Sequence, residues 1–305
     1  MGNNNSKFLQ FSILIGLVLV WGSSFILMKK GLVVFSAPEL AALRISISFI
    51  FLLPFALTRF KKIKKENWKY LAFAGIIGNG IPSFLFAIAQ TGIDSSLAGI
   101  LNSLTPLFAM IVGYLFFKSK SKWFNVVGVI IGLIGAVGLI AASGNKTFLN
   151  NIEYGALIIV ATIFYAFNLN VVKTNLKNVD AVTITSFAFF SIGLPALIYL
   201  LSSTDAVFKI QTNEKALTAL FYVSVLAVLG SALAVIAYNY LIKISSVLFA
   251  ASVTYMMPLV SYLWGVFDGE KFELIFFLWI FLILAGVYLV NKKNESNDKG
   301  VLNTK

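Results

Sequence analysis

The 305-residue sequence contains no cysteine and no histidine. Without cysteine the chain forms no disulfide bond, thiolate metal site or thiol nucleophile. Without histidine it lacks the most common general base near pH 7 and the most common metal ligand in proteins. It also lacks the glycine-rich patterns Gly-x-x-x-x-Gly-Lys-Ser/Thr and Gly-x-Gly-x-x-Gly that cradle nucleotide phosphates. We therefore expect no metal, no cofactor and no nucleotide hydrolysis by this chain.

Charged residues are also scarce, whereas hydrophobic residues are abundant. Only 12% of the residues are charged and 59% are hydrophobic, against about 25% and roughly 45–50% in an average soluble domain. The hydrophobic residues lie in long runs, which is typical of an integral membrane protein surrounded by a lipid bilayer. The formal net charge of +12 then first indicates membrane topology, because cytoplasmic loops carry an excess of lysine and arginine. We expect no nucleic-acid partner.

The hydrophobic runs predict ten membrane-spanning helices, because a hydrocarbon core of about 30 Å needs about 20 helical residues. The predicted spans are 9–28, 38–58, 69–90, 96–117, 123–142, 153–172, 181–201, 216–240, 247–267 and 273–291. The predicted fold is an all-α integral membrane protein with two five-helix units, 9–142 and 153–291. A cytoplasmic tail is expected at 292–305.

Lysine and arginine are divided unevenly between alternate loops. Of the 24 such residues, 17 lie in the loops and ends of one predicted side, 6 lie on the other side, and Arg44 lies inside a span. The excess of positive charge predicts that both termini are cytoplasmic and that the protein lies in the cell (inner) membrane. The same rule predicts that 143–151 and 202–214 lie outside.

The two halves of the sequence align with each other. The matching pairs are 25–29 with 169–173, 80–87 with 230–237, and 97–116 with 247–268. Each half has an odd number of predicted spans, so the second half enters the membrane from the opposite side. The sequence therefore predicts two inverted five-helix repeats.

Short elements along the chain resemble the EamA family of the drug/metabolite transporter superfamily. These elements are Trp21-Gly22, Ala42-Leu43-Arg44, Leu104-Thr105-Pro106, Met257-Pro258 and Gly269-Glu270. One departure is Lys118, which stands where the second half has Glu270 and where the family often has an acid. The resemblance covers roughly residues 9–291. It implies two five-helix bundles around a central cavity, and transport of a small organic metabolite, usually outward.

Few ionisable residues lie within or beside the predicted spans, the clearest being Glu39, Arg44 and Glu153. No predicted span has a carboxylate near its centre, so a proton relay through a buried acid is unsupported. Arg44 lies about 9 Å inside the outer end of its span. Two interpretations of Arg44 stay open: the guanidinium reaches outward or pairs with an acid such as Glu39, or it binds a substrate carboxylate.

Neutral polar and aromatic residues lie deeper in the predicted spans. Asn79, Ser83 and Phe86 share one face of a helix, because they recur at intervals of four and three. The candidate substrate-binding residues are Trp21, Ser24, Asn79, Ser83, Asn102, Thr105, Tyr165, Asn168 and Thr254. Pro106 and Pro258 are candidate helix breaks or gates, because proline cannot donate to the carbonyl four residues earlier. The alternative is that the polar side chains only join helices by hydrogen bonds.

Small residues predict one close contact between helices. Gly128 and Gly132 are four residues apart within the fifth predicted span. This spacing allows two helix backbones to approach each other closely in a membrane. We expect packing there, and no binding or catalysis.

Taken together, these patterns favour a secondary transporter for a small organic metabolite, such as an amino acid or a related compound. We expect it to work by alternating access and to transport outward. A carrier for uptake or exchange is the alternative within the same class. A passive channel or a membrane enzyme acting on lipid is less favoured, because such an enzyme normally needs a histidine, paired acids or a metal cluster near the interface.

Overall fold

The computed structural model describes residues 2–93, 95–119, 122–142, 152–267 and 275–291. Within these ranges the secondary structure is helical and contains no strand. The tail predicted at 292–305, the loop predicted at 143–151 and the Gly269-Glu270 element lie outside the described residues.

The helices of the first half follow the predicted spans, although two of those spans are interrupted. They are α1 (Gly2–Gly31), α2 (Ala37–Arg59), α3 (Trp68–Gly75), α4 (Ile81–Ala89), α5 (Ser95–Asn102), α6 (Thr105–Phe117) and α7 (Trp123–Ala142). A first π segment, Ile76–Gly80, joins α3 to α4.

The second half has a similar series of helices. They are α8 (Ile152–Asn175), α9 (Ala181–Ser202), α10 (Ala206–Thr212), α11 (Ala216–Val225), α12 (Ala234–Ile244), α13 (Val247–Ala251), α14 (Val253–Phe267) and α15 (Ile275–Asn291). A second π segment, Leu226–Leu233, joins α11 to α12. The short helix α10 lies between two predicted spans and was not predicted.

Six helical stretches are long and apolar enough to cross a membrane. They are Lys7–Gly31, Ala37–Arg59, Lys65–Ala89, Ile152–Asn175, Ala181–Ser202 and Ala216–Ile244. Shorter apolar helices occupy Thr105–Phe117, Trp123–Gly135, Val247–Val260 and Phe277–Gly286. These lengths and compositions are those of a multi-pass membrane protein.

The two π segments interrupt spans that we predicted as regular helices. In the first, the Asn79 amide donates to the carbonyl of Ala74 (2.9 Å), and the Ser83 hydroxyl donates to the carbonyl of Asn79 (2.6 Å). Side-chain hydrogen bonds to backbone carbonyls therefore accompany the widened turn. Such π segments occur frequently at functional sites. Both segments contribute residues to the cavity described below.

The predicted proline breaks differ between the two halves. Pro106 lies in the first turn of α6, directly after the interruption between α5 and α6. Pro258 lies inside α14, whereas the interruption in that span lies earlier, at Ser252. The break therefore does not fall at Pro258, because the helix tolerates a proline whose lost hydrogen bond is replaced by a side chain.

Hydroxyl groups take the two carbonyl oxygens that the prolines leave free. The Thr105 hydroxyl donates to the carbonyl of Asn102 (2.7 Å), and the Ser103 hydroxyl donates to the carbonyl of Thr254 (2.9 Å). The second bond joins two spans, one from each half of the chain. In this conformation the carbonyl groups of Asn102 and Thr254 therefore take part in hydrogen bonds that connect helices.

Glycine allows α7 and α15 to pack backbone to backbone, as the Gly128-x-x-x-Gly132 spacing predicts. A Cβ atom added at Gly286 would lie 2.6 Å from the Cα and N atoms of Gly132 and 2.7 Å from the carbonyl oxygen of Gly128. The predicted close packing is confirmed. The partner helix, α15, could not be named from the spacing alone.

Asp180 anchors the start of α9. Its carboxylate accepts hydrogen bonds from the Thr183 amide (3.0 Å) and hydroxyl (2.6 Å). Burial raises the pKa of Asp180, but hydrogen bonds from Thr183 and the charges of Arg59 and Lys243 hold it below its ordinary value. This cap therefore stabilises the fold above the unfolded-state pKa, and the contribution is lost as the pH falls through the folded-state pKa.

Candidate functional site

A cavity of about 900 Å³, measured together with its opening, lies among the helices of both halves. All nine predicted substrate-binding residues, and Arg44, line this one cavity: Trp21, Ser24, Arg44, Asn79, Ser83, Asn102, Thr105, Tyr165, Asn168 and Thr254. Pro106 and Pro258 are not among its lining residues.

Hydroxyl groups give the cavity wall acceptor oxygens. Ser24 donates its hydroxyl proton to the carbonyl of Val20 (2.9 Å), and Thr254 donates to that of Ala251 (2.9 Å). Each proton is therefore used within its own membrane span, as it also is at Ser83. The hydroxyl oxygen keeps its lone pairs, which can accept a hydrogen bond from a solute.

Aromatic rings form the apolar part of the wall. The rings of Trp21 and Tyr238 meet edge to face with centroids 4.8 Å apart, and those of Phe86 and Tyr165 stack at 5.9 Å. The Trp21 indole also donates to the carbonyl of Gly230 in the second π segment (2.7 Å). Trp21 therefore belongs both to the wall and to the contact that holds the second π segment.

Two amide side chains in the wall have incomplete hydrogen bonding. Asn102, which is only 4% exposed, has contacts of 3.6 Å from its amide nitrogen to the sulfur of Met257 and 3.3 Å from its oxygen to the Thr105 hydroxyl. Both are long, and the sulfur is a weak acceptor. The buried side-chain oxygen of Asn168 has no hydrogen-bond partner. Unpaired buried polar atoms are costly, so each is a candidate contact for a bound solute.

The position of Asn168 depends on the lack of a side chain at Gly78. A Cβ atom added there would lie 2.4 Å from the Asn168 Cγ and Nδ2 atoms. The first π segment and α8 therefore approach closely where the cavity wall contains the unpaired amide oxygen.

Arg44 lines this cavity and is hydrogen-bonded within the helix bundle. Its Nε donates to the hydroxyl oxygen of Ser231 (2.6 Å), and Tyr165 lines the same cavity. Among the residues that the structure describes, no aspartate or glutamate lines the cavity. Arg44 therefore gives the described part of the cavity wall a positive charge.

Glu39 does not pair with Arg44, because its carboxylate already forms an ion pair with Lys209. The Glu39 carboxylate lies 2.6 Å from the Lys209 ammonium and accepts from the backbone amide of Ser36 (2.7 Å). Lys209 lies in α10, the helix that was not predicted, so this pair could not be anticipated. The ion pair joins α2 to α10.

Sequence reasoning missed about half of the cavity wall. The lining residues without a prediction as substrate-binding residues are Phe25, Met28, Gly78, Phe86, Phe189, Gly230, Val235, Tyr238, Asn239 and Met257. Asn239 was the most detectable of these, because an amide deep in an apolar span usually has a structural or functional role. Its amide donates to the Thr185 hydroxyl (3.0 Å).

The helices and the cavity define a class: a multi-pass membrane protein with a cavity lined by polar and aromatic residues of both halves, as membrane transporters have. Residues 10–141 and 154–292 each match the EamA-like transporter family. Because these matches cover most of the chain, the protein belongs to the EamA-like transporter family and is a membrane transporter.

Individual relatives agree with this assignment. The chain is 27% identical over 284 residues to YedA, an uncharacterised inner membrane transporter of Escherichia coli, covering 92% of this chain and 90% of the relative. It is 24% identical over 277 residues to an uncharacterised transporter of Archaeoglobus fulgidus, covering 90% and 96%. A protein of known crystal structure has a TM-score of 0.69 at 17% identity, covering 92% of this chain and 95% of that one. This last likeness concerns the fold alone.

Proposed function

We propose that the protein is a secondary transporter that moves a small organic solute, such as an amino acid or a related compound, outward by alternating access. The observation that carries this proposal is a cavity lined by residues from both halves of the chain. Two halves that rock about a shared site expose it to each side in turn. Energy comes from a solute or ion gradient, because the chain lacks phosphate-binding motifs. No catalysis is involved.

Helix pairing supports two inverted five-helix repeats as the basis of this motion. Helix α1 packs against α14, and α6 packs against α8. In repeat terms, the first span of each half packs against the fourth span of the other. The remaining strong pairs, α2 with α9 and α7 with α15, each join two equivalent spans. A pseudo-two-fold axis produces this pattern.

Side-chain contacts at the π segments support the same symmetry. Ser24 and Asn168 occupy equivalent positions in the aligned halves. An added Cβ at Gly230 would lie 2.9 Å from the Ser24 oxygen, and one at Gly78, two residues before the aligned Gly80, would lie 2.4 Å from Asn168 Nδ2. In each half, the first span therefore packs against a glycine in the π segment of the other half.

The wall chemistry supports a solute with an apolar body and a polar end. Rings such as Trp21, Tyr165 and Tyr238 provide apolar surface, whereas Asn102 and Asn168 provide amide groups. A binding site is typically mostly apolar with a few placed polar groups that fix orientation. The cavity fits this description.

Replacing Asn102 by leucine should weaken the apparent affinity of transport while the protein still inserts and folds. Loss of one buried hydrogen-bonding contact is worth roughly 1–3 kcal/mol, or about 5- to 150-fold. Saturable uptake of radiolabelled amino acids into liposomes that contain the purified protein measures this change. Growth resistance to amino acids, analogues and toxic metabolites in an overexpressing strain selects the solute to label.

Asn170→Leu is the matched control for Asn102→Leu. Asn170 is equally buried, but its amide donates to the carbonyls of Ala109 and Ala166, and it does not line the cavity. This variant should lose thermal stability and keep the wild-type affinity. If Asn102→Leu behaves like Asn170→Leu, and Trp21→Ala also transports with wild-type affinity, the cavity is not the binding site. Flux that does not saturate would indicate a channel, and a chemically altered solute would indicate an enzyme.

The proposed topology places both termini in the cytoplasm and 143–151 outside. Because the chain contains no cysteine, single cysteines can be labelled without background. We expect Asn145→Cys to react with a membrane-impermeant maleimide in intact cells, and Lys64→Cys to react only after the cells are opened. The reverse result would contradict both the orientation and the inverted repeat.

A further inference from the structure

The Arg44 guanidinium lacks a counter-ion in the described part of the chain. It is held inside the helix bundle by a single hydrogen bond, from its Nε to the Ser231 hydroxyl (2.6 Å). A guanidinium has five N–H donors, so most of them have no hydrogen-bond acceptor among the described residues. The nearest acid on the same helix, Glu39, is already paired with Lys209.

Arg44 is half-buried, and inside a membrane a cation without a counter-ion is costly and by default functional. That cost is relieved when an anion enters and pairs with the cation. The cavity therefore has a stronger electrostatic preference for a negative group than for a neutral or positive one.

The neighbours of Arg44 restrict the shape of that negative group. Ser231 accepts from Nε and so fixes that side of the guanidinium. The remaining donors are planar and parallel, a geometry that matches the two oxygens of a carboxylate. Trp21 and Tyr238 line the same cavity and supply the surface for an apolar body.

We propose that Arg44 binds the carboxylate of the transported solute, so that the solute is a carboxylic acid or an amino acid with a free carboxylate. This inference rests on the proposed transport function and adds the class of substrate. Asn102 and Asn168 provide amide groups in the same cavity for the other polar groups of the solute.

A purely structural role for Arg44 is the competing interpretation. Arg44 joins α2 to the second π segment, and Ser48 makes a parallel connection by donating to the carbonyl of Ala227 (2.9 Å). If Arg44 only connected α2 to the second π segment, its replacement would affect folding. The protein would then have no reason to bind a carboxylate more strongly than the neutral amide of the same compound. The test therefore compares ligand pairs that differ only in that group.

Thermal stabilisation of the purified protein by protein amino acids and straight-chain monocarboxylates should be compared with stabilisation by their primary amides. We expect stabilisation by at least one carboxylate and not by its amide. Arg44→Gln should weaken binding of that carboxylate by about 10- to 150-fold, because hydrogen bonds to charged groups are lost. Arg44→Lys should retain part of the preference for the carboxylate over its amide, since lysine keeps the positive charge but not the parallel N–H donors of a guanidinium.

Arg59→Gln is the matched control, because Arg44 and Arg59 are the only arginines in the chain and Arg59 does not line the cavity. It should leave the preference for carboxylates unchanged. If Arg44→Gln does not fold, Arg59→Lys provides a protein with Arg44 as its sole arginine. The carboxylate should then protect Arg44 from phenylglyoxal, and the amide should not.

Three results would overturn the carboxylate assignment: stabilisation by no carboxylate, equal stabilisation by acid and amide, or unchanged preference in Arg44→Gln. Saturable liposome transport of an amide or another neutral solute would then leave the proposed transport function intact. Absence of any saturable transport by the wild-type protein, with carboxylate binding retained, would instead reject the transport function alone.

Discussion

Gly286→Leu is expected to leave no folded protein. The atoms that a new side chain would meet at Gly286 are the Cα, N and O atoms of the Gly128–Gly132 turn, all within 2.7 Å of the added Cβ. Overpacking typically costs about 1–3 kcal/mol when side chains can adjust. Here the neighbouring atoms are backbone, so α7 and α15 must separate along their whole contact. Size-exclusion chromatography of a fluorescent fusion measures the fraction of folded protein.

Gly16→Leu is the matched control for Gly286→Leu. A Cβ at Gly16 has no atom within 4 Å, and the residue is exposed on α1. In a membrane-spanning helix an exposed leucine faces lipid, so this variant should fold like the wild type. A folded Gly286→Leu protein with wild-type thermal stability would show that the contact between α7 and α15 does not determine the fold.

Helix positions were largely predictable because apolar runs and lipid thickness determine them. The stretches at 38–58 and 181–201 correspond closely to α2 and α9. The π segments were not predictable, because the sequence around them is apolar on nearly every side of the helix, so a shift in helical register leaves the hydrophobic run unbroken. Glycines at 78, 80 and 230 were visible, but they gave no information on which backbone carbonyls would need side-chain partners.

Candidate cavity residues were partly predictable from helical spacing and from the repeat. Trp21 and Tyr165 were identified because a polar or aromatic residue recurs at equivalent positions of two aligned spans. Tyr238 and Asn239 were missed because their equivalents in the first half, Ile88 and Ala89, are apolar. A search based on symmetry detects paired residues and overlooks residues that occur in one half only.

Partners of charged groups were the least predictable feature. The ammonium of Lys209 reaches Glu39 from a helix that has no apolar run of its own. The hydroxyl of Ser231 reaches Arg44 from a π segment, where the helical register has already shifted. Which groups pair with a charged side chain depends on the distances between helices. Neither the spacing of residues along one helix nor the composition of the chain predicts those distances.

Gly78→Val is expected to abolish specific transport in a protein that still folds. The added Cβ lies 2.4 Å from Asn168 Cγ, and these neighbouring atoms belong to a side chain rather than to backbone. Asn168 can therefore move away, but only by changing the cavity wall that contains its unpaired oxygen. We expect the apparent affinity to fall by about 100-fold or more, which corresponds to about 3 kcal/mol. Liposome uptake and thermal stability should both be measured.

Gly80→Ala tests whether any larger residue in the first π segment has this effect. An added Cβ at Gly80 comes no closer than 3.3 Å to the Gly75 carbonyl and 3.4 Å to Ile192, so small adjustments suffice and transport should be nearly normal.

A second comparison separates the steric clash at Gly78 from the loss of Asn168 as a group that binds the solute. Gly78→Ala combined with Asn168→Ala should recover the thermal stability lost in Gly78→Ala, because the two sites are directly coupled, yet its affinity should stay low. Recovery of full affinity in the double variant would mean that Asn168 does not contact the solute and that Gly78 serves only helix packing.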